Sequence, residues 1–180
     1  MYGAAKRFAR YSAFLSTFVL VTLLFVHAAS AANLSQTYTM KNGISFKYPS
    51  GWTAMENPQV PGVGISLMNP AQPTTSIMVT VTDGVVEGGA PLDEKAVKEQ
   101  LAASGQGVKL LNFKKTSLAG KDATLTEYSA EIGEISILTR SVMLQDGGTA
   151  VTVTSVYMDK ARVAEGQAIS EAVEKSLSLK

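Results

Sequence analysis

Apolar and polar side chains alternate from Ile44 to Tyr48, with Ile44, Phe46 and Tyr48 on one side and Ser45 and Lys47 on the other. That period of two marks a half-buried strand. Further strands read at Thr37 to Met40, Gly64 to Met68, Ile77 to Asp83, Val108 to Ser117, Ala123 to Ala130, Ile135 to Gln145 and Thr149 to Tyr157. Two stretches follow the helical period instead. The first opens at Asp93, a suitable N-cap, with Leu92 and Val97 spaced for a hydrophobic staple and Gly105 placed to close the helix. The second covers Ala161 to Leu177 behind Asp159, with Ile169, Val173 and Leu177 spaced for one buried stripe.

Turn chemistry orders these segments. Asn42-Gly43 predicts a two-residue type I′ hairpin, because both residues tolerate positive φ. Pro49 then withdraws a backbone donor, Ser50-Gly51 turns the chain, and Trp52 returns towards the core. Ala119-Gly120-Lys121, Ile132-Gly133 and Asp146-Gly147 join the later strands into an antiparallel meander. The order is four short strands, a helix, four longer strands and a helix. Its economical packing is an α+β domain, an antiparallel β-sheet flanked by two helices.

The first thirty residues follow neither period. Lys6, Arg7 and Arg10 precede an apolar run from Tyr11 to Val26, and Ala29-Ser30-Ala31 supplies the small residues of a cleavage site. This is the anatomy of a secretory signal peptide over residues 1–31, leaving one domain over 32–180. A permanent anchor needs about 20 apolar residues, and this shorter run is interrupted by Ser12, Ser16, Thr17 and Thr22. The expected product is a soluble periplasmic or secreted protein with no stable membrane anchor.

Cleavage sharpens the exclusions. It removes three of the 16 basic residues and no acidic one, so 13 positive charges face 15 negative ones, and nothing favours nucleic acid or an acidic membrane. It also removes His27, the sole histidine, from a chain that has no cysteine. Ser-His-Asp and Cys-His nucleophile systems, imidazole or thiolate zinc sites, haem, iron–sulfur clusters and disulfides are thereby excluded. No cofactor is expected. The seven methionines form no Met-x-Met or Met-x-x-Met spacing, and Met68, Met78 and Met143 fall inside strands as core fillers. Of the paired carboxylates, Glu131 and Glu134 flank a turn, whereas Glu171 and Glu174 read as one turn of an exposed helix face. Neither pair has the setting of an acid and base. Lys114-Lys115 is too small a basic cluster for nucleic acid.

Three residues remain as candidates for binding: Arg140, Glu127 and Trp52. Trp52, just past a strand closed by Pro49, reads as a core anchor, and an exposed Trp52 would instead suit ligand stacking. For Arg140 the turns assign neighbours. With Ile132-Gly133 as a two-residue loop, Arg140 lies opposite Leu125; with Asp146-Gly147 as another, it lies opposite Val153. That face carries Leu125, Leu138, Val142, Leu144, Val151 and Val153, an apolar surface suited to burial under a helix. A charge there requires a partner. Glu127, opposite Leu138 in this register, is the diagonal neighbour. The expectation is a structural ion pair; the alternative is an anion-binding arginine at the mouth of a pocket.

The stretch Phe46-Lys47-Tyr48-Pro49-Ser50-Gly51-Trp52, a strand ending in an aromatic followed by Pro-x-x-Trp, resembles the start of PsbP/DcrB/Mog1-like domains. The element order resembles theirs across nearly all of 32–180, and the bacterial exported DcrB-like proteins match best in compartment. The chain departs from them in lacking a lipoprotein cysteine and from PsbP in having no histidine over 32–180, which tells against PsbP-type metal binding. The resemblance implies a noncatalytic interaction or assembly module whose partner is an envelope protein or complex; no functional residue of the family carries over. The competing readings are a carrier of a small apolar ligand and a hydrolase using carboxylates or a Ser/Lys pair that meet only in the fold.

Overall fold

A computed structural model describes residues 33–56, 63–83, 93–103 and 107–179. The signal peptide read in 1–31, Leu92 of the staple and Gly105 of the helix stop lie outside the described residues. The strands are β1 (Leu34–Thr39), β2 (Ser45–Pro49), β3 (Thr53–Glu56), β4 (Gly64–Met68), β5 (Thr75–Asp83), β6 (Lys109–Leu118), β7 (Lys121–Ile132), β8 (Ile135–Asp146) and β9 (Thr149–Tyr157). Helix α1 spans Glu94–Ala103, and helix α2 spans Val163–Ser176 after a short 3₁₀ turn at Lys160–Arg162.

The α+β class holds, with two corrections to the expected layout. β3 was not read from the sequence. Its four residues, Thr53-Ala54-Met55-Glu56, are too few to display a period, and they form a strand because β4 pairs along all of them, from Thr53 with Met68 to Glu56 with Ile65. In addition, β1 and β2 form a two-stranded sheet of their own, while the other seven strands make one antiparallel sheet in the order β3-β4-β5-β9-β8-β7-β6. The hairpin between β1 and β2 is also longer than Asn42-Gly43 suggests. Gly43 alone takes positive φ, at 87°, and Met40 N donates to Ile44 O at 2.8 Å across a three-residue loop. This is the turn-plus-bulge alternative to type I′.

The later hairpins turn two residues away from the expected register. Ile132 pairs with Ile135, leaving Gly133-Glu134 as the loop, and Asp146 pairs with Thr149, leaving Gly147-Gly148. The cause is local. A loop beginning at Ile132 would put a β-branched residue at positive φ, whereas Gly133 takes φ 62° without strain and Gly147 and Gly148 take 53° and 81°. A shift of two residues keeps every side chain on its face. The apolar face therefore forms as expected: Ile65, Leu67, Ile77, Val79, Leu125, Val142, Leu144, Val151 and Val153 are buried on it. The other face is rich in hydroxyls and half-buried, with Ser66, Thr80, Ser141, Thr152 and Thr154 among its side chains.

Helix α2 and the β1–β2 hairpin cover the apolar face, adding Met40, Ile44, Phe46, Val173 and Leu177 to one core. Close packing there depends on Gly166, since a Cβ at that position would sit 2.7 Å from the Tyr157 ring. Past α2 the chain runs on as a strand-like tail. Ser178 exchanges both backbone hydrogen bonds with Ser45, at 2.8 and 3.1 Å, and Ser176 Oγ accepts from Lys47 N at 2.8 Å. Helix α1 begins as expected, with Asp93 Oδ1 accepting from Ala96 N at 2.6 Å, and it packs on β6. Among the described residues no helix is long and apolar enough to cross a membrane.

Candidate functional site

One row of the apolar face is not apolar. Reading across β5, β9, β8, β7 and β6, the directly paired residues are Ile77, Ser155, Arg140, Glu127 and Asn112. Arg140 thus lies opposite Glu127 and Ser155, not opposite Leu125 and Val153 as the assumed turns required, and Glu127 is its direct cross-strand partner, not its diagonal one. Arg140 Nε is 3.7 Å from Glu127 Oε1, and Asn112 Nδ2 donates to Glu127 Oε2 at 3.1 Å.

The stronger partner of Arg140 comes from the helix. Its Nη1 donates to Glu174 Oε1, which also accepts from Ser170 Oγ at 3.2 Å, and the Ser170 and Ser155 hydroxyls bond to each other. Arg140 and Glu174 are 8% and 9% exposed, and both serines are fully buried. Glu174 therefore corrects the reading of Glu171 and Glu174 as one exposed pair: Glu171 is exposed, while Glu174 points inward. The signal was present in the spacing. Gly166, Ser170, Val173, Glu174 and Leu177 recur at steps of three and four along the packed face of α2. An acid on that stripe must find a cation inside.

Burial raises the Glu174 carboxyl above its ordinary value of 4.5, and the bond to Arg140 pulls in the opposite direction without cancelling it. Burial likewise raises the Tyr157 hydroxyl, against the lowering influence of Ser170, Ser155 and Arg140 nearby. Tyr157 Oη is enclosed and makes no hydrogen bond. The cluster ties helix to sheet. Among the described residues no group of three or more His, Cys, Asp or Glu could hold a metal.

Above this cluster a cleft of about 740 Å³ opens between α2 with its tail and the β6–β7 hairpin. Arg140, Glu174, Leu125 and Leu177 contribute to its lining from buried positions, and Lys114, Lys121, Lys175 and Glu171 from exposed ones. Lys121 is paired with Asp146. Trp52 is elsewhere. It is half-buried, packs against the core, and borders a shallow hollow of about 50 Å³ with Arg162, Glu165 and Ile169. The structure brings Arg140 and Glu127 together and leaves Trp52 apart from them.

No family model and no curated protein matches the sequence. Solved structures do. The cyanobacterial PsbP (CyanoP) of Synechocystis sp. PCC 6803 superposes with a TM-score of 0.63 at 16% identity, over 86% of this chain and 96% of that one. This chain has the PsbP/Mog1-like fold. The Ran-binding protein Mog1p of Saccharomyces cerevisiae shares it, with a TM-score of 0.56 at 10% identity, over 79% of this chain and 94% of that one. The likeness carried by Pro-x-x-Trp and the element order is thus a likeness of fold.

Proposed function

We propose that this protein is an exported, soluble, noncatalytic interaction module of the bacterial envelope, comparable in role to DcrB-like proteins. One observation carries the reading: the buried serines and the arginine of the polar row are already engaged with one another and with Glu174 and Glu127. Ser155 and Ser170 are wholly buried, and the Arg140 guanidinium is engaged by Glu174 and Glu127. A nucleophile that substrate cannot reach does not turn over. The open face is the lysine-bordered cleft, a surface for recognition. The charged and apolar pattern over residues 1–31 supports export, and a neighbour in fold, Mog1p, is named for binding another protein.

The test places a photo-crosslinking residue at Lys114, on the cleft, and at Thr80, on the hydroxyl face, in the producing cell. Discrete protein adducts and a mature N-terminus at Ala32 or Asn33 by mass spectrometry are expected. A full-length membrane-retained product, or turnover of ester, peptide or glycoside substrates by the pure protein, would sink the proposal.

A further inference from the structure

β6 is the last strand of the seven-stranded sheet, so among the described residues no strand lies beside its outer edge. Helix α1 packs against β6 but contributes no strand to that side. An edge strand ten residues long is a template for pairing with another chain. The charge on this edge has one sign. Lys109-Leu110-Leu111-Asn112-Phe113-Lys114-Lys115-Thr116-Ser117-Leu118 contains three lysines and no acid, and Lys114 and Thr116 line the cleft along with Lys175 of α2. Lys114 and Lys175 form no ion pair among the described residues, whereas Arg140 and Lys121 in the same lining are already paired.

We infer that the outer edge of β6 and the adjoining cleft take up an extended acidic segment of a partner protein, added as an eighth strand. Backbone hydrogen bonds to the free edge supply affinity, and carboxylates on alternate positions of the incoming strand meet Lys114 and Lys175. Charge also argues against the commonest competitor, a second copy of this chain. Antiparallel pairing of two β6 edges sets a strand of three lysines against another of three, and like charges facing each other repel. Lysines on an edge are also a device that blocks indiscriminate pairing, and the same device admits a strand of opposite charge. The inference rests on the interaction-module reading and names the partner's chemistry.

The probe is a ten-residue peptide alternating Glu and Val, titrated into the full chain and followed by anisotropy and by amide exchange. Binding at low salt is expected, at least tenfold weaker in 0.5 M salt, with slowed exchange confined to β6. Lys114→Glu combined with Lys175→Glu should reverse the preference towards a Lys-Val peptide; both sites are at the surface, so the fold is retained. N-methylation of alternate peptide amides discriminates strand addition from plain charge attraction. One methylation register should abolish binding and the other should not. Equal binding by both methylated forms, equal competition by citrate, no binding, or dimerisation of the protein through β6 would each overturn the inference. Crosslinks to a partner from another face, with no peptide bound at β6, would overturn it and leave the interaction-module reading standing.

Discussion

Two adjacent rows on the apolar face of the sheet differ in what holds them. The row of Ile65, Val79, Val153, Val142 and Leu125 is aliphatic and fully buried. The next row, displaced by two residues along each strand, reads Leu67, Ile77, Ser155, Arg140 and Glu127. The first row needs only volume, and any filler of similar shape serves. The second needs named partners in a third dimension, since its hydroxyl and guanidinium groups are satisfied by Ser170 and Glu174 of α2. Alternation specifies the first kind of row completely and the second kind hardly at all.

The widest separation between the rows should come from Arg140→Ala. It strands Glu174 in the interior and should cost about 3–5 kcal/mol in denaturant unfolding. The joint change Arg140→Met with Glu174→Leu should recover most of that loss. A joint variant as weak as the single one would show that shape, not charge, governs this row. Leu125→Ala, in the aliphatic row, should cost about 3 kcal/mol, and no second substitution in α2 by a polar residue should rescue it. Gly166→Ala probes the seam between the two layers. Its methyl group meets the Tyr157 ring, and about 1–3 kcal/mol should be lost through overpacking. A neutral result would mean that α2 rides higher over Tyr157.

A smaller effect is the pH dependence of the polar row. The folded Glu174 carboxyl titrates above its ordinary value of 4.5, so the native state holds more protons than the unfolded chain once the pH exceeds that value. Stability from this group is full below the unfolded pKa and falls as pH rises through the folded one. Glu174→Gln, measured by thermal unfolding from pH 4 to pH 8, should flatten that decline. An unchanged slope would assign the pH dependence to another group.

The strands, their faces and the fold class were legible because they rest on period and turn residues, and those are local. The register was legible only to within two residues. The choice between Ile132-Gly133 and Gly133-Glu134 as the loop turns on which residue tolerates positive φ, a criterion that the sequence does contain. β3 was not legible, because a four-residue strand made by its neighbour leaves no pattern of its own. Arg140 was visible as a charge in an apolar face, and its need for an acid followed. That the main acid is Glu174, 34 residues away on a helix, depends on how α2 lies on the sheet, and no pairing rule reaches across layers. Trp52 was placed near the core but not at its edge, because burial at the margin of a sheet depends on what covers it.

The tail after α2 bears on the order in which the protein can assemble. Lys47 and Ser176 are joined across 129 residues of chain, and Ser45 with Ser178 further still. During synthesis the β1–β2 hairpin leaves the ribosome before α2 and the residues beyond it, the segments whose backbone it bonds and packs against, have been made. A lone two-stranded hairpin is barely stable in water. This early-made hairpin is therefore among the last elements to settle, and ribosome-bound chains halted before residue 160 should leave Leu34 to Pro49 open to a protease that spares them in the finished protein.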